Sequence, residues 1–452
     1  MTCNTTSPSA AEVEAVVRPA IAQWAVPGLA LGVLHDGTTD AWGFGITSVE
    51  TEQAVRSDTL FQIGSISKVI TTTLLMQLVD EGRLDLDAPV RRSIPTLKLE
   101  DDAAAVALTT RHLLTHTAGF FGDRFEDYGR GDDALARAIA EFGTLQQYSR
   151  PGEFWSYANT AFQLAGYLVE QILGLGFEAA ARDRLLMPLG MTRSFYFADQ
   201  AITYPLAVGH SRSANGEATI EREWARSRCG AARGGLISTA PDLLRFAGLQ
   251  MNDGMAGDIR LLSSASIRAM QTPQVARPEG QQGLGWMLSS IDGARIVQHG
   301  GATNGFNALL TIVPEKRFAM AALTNSSIGT AAIRPVEEWL LDRYAGLRQQ
   351  KPQRVTLSPE TLAGFAGRYE RPGVAAIVTA VPNGLDLRLE TTNLYTGTMQ
   401  PATLMHAVPV TARQFMITTD PHAESLVDFL DGKGGLRYIR VGGRITPRIG
   451  DA

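Results

Sequence analysis

The chain has 452 residues, 44% hydrophobic and 19% charged, with a formal net charge of −5 from 41 basic and 46 acidic residues. That balance excludes a disordered or fibrous chain, and so small a charge excludes a surface built to gather nucleic acid or anionic lipid. No run approaches the roughly 18 apolar residues of a membrane span, the start lacks the basic and apolar regions of a secretory leader, and Cys3 and Cys229 cannot build a disulfide framework, so a cytoplasmic protein is expected unless a leader has been trimmed.

The length suits two or three domains. A polar tail over residues 1–11 precedes "AEVEAVVRPAIAQW", whose apolar spacing predicts a helix stopped by Pro27-Gly28. Strand-like runs then flank Asp36-Gly37, a dipeptide that favours a tight hairpin turn because both positions accept positive φ. From Ser65 to Arg83 the apolar residues Ile66, Val69, Ile70, Leu74 and Leu78 recur every three or four positions until Gly82, predicting a buried helix. Residues 85–195 continue as helical segments with little strand character, a helical subdomain inserted in an α/β frame. After an irregular stretch near 200–230, "GGLISTAPDLLRFAGLQMNDG" predicts a helix capped by Ser238 or Thr239. Four β-rich runs follow, "GLGWMLSS", "ARIVQHGG", "FNALLTIV" and "RFAMAALTN", then a closing helix in "RPVEEWLLDRYAGL". One sheet assembled from the two ends of residues 12–347 is the fold these runs imply. The polar segment 348–358 reads as a linker, and short alternating strands over 359–452, among them "AAIVTAV", "GLDLRLETT" and "LRYIRVGG", predict a separate all-β sandwich or barrel.

Within "GSISKV", Ser65 and Lys68 stand three residues apart and so share one face of the predicted helix. A serine hydroxyl needs a base before it attacks a carbonyl, and a poorly hydrated lysine holds its own proton less firmly. Ser67 lies about 200° around the helix from Ser65 and does not share that face. A bare SxxK is more often a capped helix start beside a solvated lysine. Two further stretches carry the argument. "PGEFWSYAN" sets Tyr157, Ala158 and Asn159 at a helix start, and "IVQHGGATNGF" ends a strand with His299, Gly300 and Gly301, where glycines let a ligand approach the backbone. Taken singly, Tyr157 reads as packing beside Phe154 and Trp155, Asn159 as a helix cap and His299 as a bonded strand residue.

In this order SxxK, YxN and HxG resemble the signature of the serine β-lactamase and penicillin-binding-protein family, in particular its class C branch with esterases and D-aminopeptidases. "RHLLTHTAGF" and "GGLISTAPDLLRF" are similar to framework stretches of that family, and the resemblance covers about residues 12–346. It implies an antiparallel sheet flanked by helices with an inserted helical subdomain, an α/β (α+β) fold, followed by a lipocalin-like antiparallel β-barrel. It also implies an acyl-enzyme on Ser65, a proton relay through Lys68 and Tyr157, Asn159 as orienting and substrate-binding residue, and an oxyanion hole from the backbone N–H groups of Ser65 and Ala302. His299, Gly300 and Gly301 would line the substrate, and no metal or cofactor is implied. The substrate class is a small ester, an amide or a short peptide, D-residues included. β-Lactamase action, D,D-peptidase or penicillin-binding activity and acyl transfer from the same acyl-enzyme are the alternatives, together with a slowly acylated sensor. β-Lactam-active members carry Lys-Thr-Gly or Lys-Ser-Gly at the third motif; His-Gly-Gly removes both the ammonium and the hydroxyl that receive a carboxylate.

His112 and His116, four residues apart, are a candidate metal pair, with no HExxH or third ligand beside them. GxSxG, GxGxxG and P-loop patterns are missing from suitable contexts, and "LEDDAA" and "FEDYGRGDD" read as solvated loops. A homo-oligomer is left open.

Overall fold

The computed structural model describes residues 8–213, 215–224, 227–394, 397–432 and 435–450; most of the N-terminal tail, with Cys3, lies outside them. The first helix, Ala10–Gln23, is fixed by a capping box in which Ser9 and Glu12 satisfy each other's backbone N–H groups, so helix begins inside the segment read as tail. It ends at Trp24, before Pro27. The hairpin follows as expected: Gly28–His35 pairs with Thr38–Gly45, and Asp36 and Gly37 take φ of 46° and 84°.

One antiparallel sheet of eight strands joins the two ends of the unit, because Gly28–His35 pairs with Phe318–Thr324. The other strands, in order outward, are Phe306–Val313, Ala294–Thr303, Met287–Ile291, Gly280–Gln282 and Val275–Arg277. The two short outermost strands are additional to the four runs read from the sequence. Phe318–Thr324 is buried on both faces, and its residues divide by parity. Phe318, Met320 and Ala322 pack with Val13, Val17, Ile333 and Val336 of the helices Ala10–Gln23 and Gly329–Leu340, while Ala319, Ala321 and Leu323 face the helical layer on the other side.

That second layer centres on the helix Ser67–Asp80, preceded by a 3-10 turn at Gly64–Ile66. Its residues from Ser67 to Leu78 are all buried. Thr71, Thr72 and Thr73 survive there because each hydroxyl donates to the carbonyl four residues back. Residues 85–195 hold the helices Asp102–Ala107, Thr110–Leu114, Ala134–Ala140, Asn159–Leu173 and Phe177–Ala181, with much irregular chain between them. Thr239, not Ser238, caps the helix Ala240–Met251; Ser238 belongs to a short strand with Ile237.

After the irregular residues 346–358 and the short helix Pro359–Ala363, eight strands from Gly367–Arg371 to Arg444–Gly450 close an antiparallel up-and-down barrel. An eight-stranded barrel is just wide enough for side chains to fill it or for one small ligand. Here it is filled: Phe365, Tyr369, Phe415 and Phe429 pack in one cluster with Leu362, and Phe365 stands 4.5 Å from Phe429 by ring centroids.

Candidate active site

Gly64, with φ of +51°, turns the chain out of a short strand so that Ser65 enters the 3-10 turn part-exposed while Ile63, Ile66 and Ser67 are buried. Ser67 is occupied elsewhere: its hydroxyl donates to Gly64 O at 2.7 Å and accepts from Leu236 N at 3.0 Å. Lys68, fully buried, donates to Ser65 Oγ at 3.1 Å, Asn159 Oδ1 at 2.7 Å and Arg233 O at 2.6 Å. The three acceptors match the three N–H donors of an ammonium, in which form Lys68 donates toward Ser65.

Ala158 precedes the helix Asn159–Leu173, which puts Asn159 on its first turn and Tyr157 just outside it. The Tyr157 ring lies 5.0 Å from Lys68 Nζ, and its hydroxyl is near enough to Ser65 for that side chain to favour the phenolate. Burial pushes the phenol up to about 12, although Ser65 and the charge of Arg444 both pull it down. Asn159 also donates through Nδ2 to Asp123 Oδ1 at 2.7 Å. Burial alone would raise the Asp123 carboxyl; Arg444 and Arg371, with the bonds from Arg444 and Asn159, hold it below its usual value.

The strand Ala294–Thr303 runs along the opposite wall. Its close approach to the 64–65 turn depends on missing side chains: a Cβ on Gly301 would lie 3.2 Å from Ser65 N, and one on Gly64 would lie 2.7 Å from Ala302 N. The backbones of Ser65 and Ala302 are therefore brought together. His299 is fully buried and its Nδ1 lies 2.6 Å from Gly300 O, which assigns the proton to Nδ1 and leaves Nε2 an acceptor with no hydrogen-bond partner among the described residues. Burial, reinforced by Lys68, holds this imidazole down to about 3.

Three residues of the site lie outside the three sequence motifs. Asp123 sits two residues before the acidic stretch taken as solvated, on a loop whose Gly122 carbonyl accepts from Thr160 N at 3.0 Å. His116 stacks on Tyr157 at 4.3 Å, and its Nδ1 accepts from Ala158 N at 3.0 Å. Burial first, then Lys68, His299 and Arg444, hold it well below the usual histidine range. Arg444 comes from the barrel. The metal pairing of His112 and His116 is overturned: the helix carrying His112 ends at Leu114, His116 takes φ of +58° beyond it, and His112 Nδ1 is engaged by Thr109. Among the described residues no cluster of His, Cys, Asp and Glu could hold a metal ion. A cavity of about 600 Å³ between Glu170, Glu178, Tyr196 and Arg228 includes none of the site residues.

A family model described as Beta-lactamase matches residues 13–342. The chain belongs to the beta-lactamase family. Penicillin-binding protein 4 of Amycolatopsis lactamdurans is 34% identical over 360 residues, 77% of this chain and 94% of that protein. Among solved structures, SurE with D-Leu superposes with a TM-score of 0.73 at 26% identity, over 97% of this chain and 99% of that one. An octameric penicillin-binding protein homologue from Pyrococcus abyssi, with a TM-score of 0.68 and 23% identity over 97% and 99% of the two chains, shares the fold. As a beta-lactamase-family protein the chain is an enzyme, a serine hydrolase. Among the described residues no helix is long and apolar enough to cross a membrane.

Proposed function

We propose that this beta-lactamase-family enzyme cleaves a small ester, an amide or a short peptide through an acyl-enzyme on Ser65, with peptides carrying a D-residue at the scissile position as the favoured class. The observation that carries the reading is the convergence of Ser65, Lys68 and Tyr157 at one part-exposed hydroxyl. With Lys68 as an ammonium donating to Ser65, Tyr157 acts as the base. As Oγ bonds to the substrate carbonyl carbon, its proton passes to the Tyr157 phenolate. The carbonyl oxygen becomes an oxyanion between the N–H groups of Ser65 and Ala302, donors that each contribute roughly 3–4 kcal/mol to such a state. Tyr157 then protonates the leaving group as the C–O or C–N bond breaks, and the same steps with water in place of Ser65 release the acid. Asn159 holds Lys68 in place and presents its amide to the cleft.

His299 supports the substrate class. A neutral acceptor at the third motif suits an N–H or O–H of the substrate and offers no cation to the carboxylate of a β-lactam. The similarity to SurE, a protein solved with D-Leu, favours D-configured peptides in the same way, and the octameric relative favours a homo-oligomer. A panel of p-nitrophenyl esters, D- and L-aminoacyl amides and a chromogenic cephalosporin tests the reading. Turnover of esters and D-amides with Ser65 acylated is expected; turnover of the cephalosporin in preference to all of them would overturn the substrate class.

A further inference from the structure

The last hairpin of the barrel reaches the catalytic cleft. Its turn, Gly442-Gly443, takes φ of 57° and 76°, and a Cβ on Gly443 would stand 3.0 Å from the Trp155 ring and 3.6 Å from the Cβ of Tyr157. Glycine therefore lets the turn lie against the segment that carries the catalytic tyrosine. Hydrogen bonds fix it there. Tyr157 N donates to Gly443 O at 2.8 Å, Ile445 N donates to Ser156 Oγ at 3.2 Å, and Arg440 Nη1 donates to Trp155 O at 2.7 Å. Arg440 is itself held by a two-pronged contact with Asp428.

From this turn Arg444 extends into the site. Its Nε lies 3.0 Å from Asp123 Oδ2 and its Nη2 lies 3.4 Å from Asp123 Oδ1, while the guanidinium carbon stands 4.6 Å from the centre of the Tyr157 ring. Asp123 in turn accepts from Asn159, and Asn159 accepts from Lys68, so one hydrogen-bonded chain runs from the barrel to the lysine beside Ser65. The barrel, packed inside by Phe365, Tyr369, Phe415 and Phe429, is the scaffold that carries this turn.

We infer that the barrel completes the catalytic centre, and that Arg444 is a positioning residue that holds Asp123 in register with Asn159 and supplies positive charge to the phenolate form of Tyr157. This rests on the proposed role of Tyr157 as base. The charged groups facing Tyr157 are Lys68 from the nucleophile helix, Asp123 from the 119–123 loop and Arg444 from the barrel, with the neutral rings of His116 and His299 on the remaining sides. Arg371, also from the barrel, stands 3.7 Å from Asp123. Arg444 favours the phenolate and Asp123 opposes it.

The test uses the full chain with Arg444→Met, Arg444→Lys and Asp123→Asn. An opposite charge at this range moves a titration by about 1–3 units. Below the alkaline limb of the rate profile each unit appears as a tenfold change, so kcat/KM for a p-nitrophenyl ester is expected to fall roughly 10- to 1,000-fold in Arg444→Met, still rising tenfold per pH unit, and to recover most of that loss in Arg444→Lys. An ultraviolet difference titration of the phenolate, with Tyr157→Phe as the blank, needs no substrate and separates this inference from the reading it rests on. Tyr157 should titrate higher in Arg444→Met and lower in Asp123→Asn, whether or not Ser65 is acylated. If Arg444→Met does not fold, Arg444→Lys and Asp123→Asn carry the titration. A Tyr157 titration that is unmoved, or that moves the same way in both charge-removing variants, overturns the inference, as does an Arg444→Met rate within threefold of the parent.

Discussion

Adding one methyl group to Gly301 tests the oxyanion geometry without touching a catalytic side chain. Gly301 is on the face of its strand that meets the nucleophile turn, where an added Cβ would lie 1.9 Å from Ile63 O. Ordinary Cβ contacts begin near 3.4 Å, so the strand and the turn must part by about 1.5 Å to admit Gly301→Ala. A misplacement of ~1 Å can cost ~10²-fold in rate, and loss of one oxyanion donor costs roughly 10²–10³ in kcat. Gly301→Ala is therefore expected to lower kcat by about 10²–10³-fold with a smaller change in KM. Gly300→Ala is the matched comparison: its Cβ would meet only Ala308 O, at 3.8 Å, so it does not part the strand from the turn, and any loss it shows through substrate lining should be well below that of Gly301→Ala. Burst and steady-state kinetics with a p-nitrophenyl ester, after thermal melting has shown both variants folded, read the difference. Equal rates in the two variants would refute the oxyanion role of the Ser65 and Ala302 backbones.

Ser67→Ala should keep fluorophosphonate labelling while losing about 1–3 kcal/mol of stability, because Gly64 O and Leu236 N lose a buried partner; lost labelling with unchanged melting would reverse the assignment of the two serines. Burial holds His299 neutral down to about 3, whereas the unfolded chain takes up that proton near 6.5. Stability tied to this group is thus complete above the unfolded value and is lost as pH falls below it, at about 1.4 kcal/mol per unit. Urea unfolding should show the parent losing about 2 kcal/mol more than His299→Gln between pH 7.5 and 5, and equal losses would contradict the buried, neutral imidazole. Chelators should leave turnover unchanged, and loss of activity restored by added zinc would show that a metal takes part after all.

Much of the fold was legible because its signals are local. Asp36-Gly37 announces a turn that only positive φ can build, and the spacing of Ile66, Val69, Ile70 and Leu74 marks a buried helix without outside information. The Ser65–Lys68 pair was legible for the same reason, being one helical turn. Boundaries were less so: Ser9 and Glu12 start the first helix within the presumed tail, and Gly64 imposes a 3-10 turn before the α-helix begins. The roles of Asp123, His116 and Arg444 escaped because each depends on partners distant in the sequence. Asp123 resembles its solvated acidic neighbours until Arg444, 321 positions away, pairs with it. The signal that could have found Arg444 is the Gly-Gly closing "LRYIRVGG", which marks a turn able to lie against another backbone.

The central claim is that Ser65 forms the covalent intermediate. Acid quenching during the burst with a p-nitrophenyl ester, followed by intact-mass and peptide mapping, tests it most directly. One acyl group per chain is expected, on the peptide containing "GSISKV" and at Ser65, and it should be missing from Ser65→Ala. An acyl group on any other residue, or full turnover by Ser65→Ala, would contradict the account.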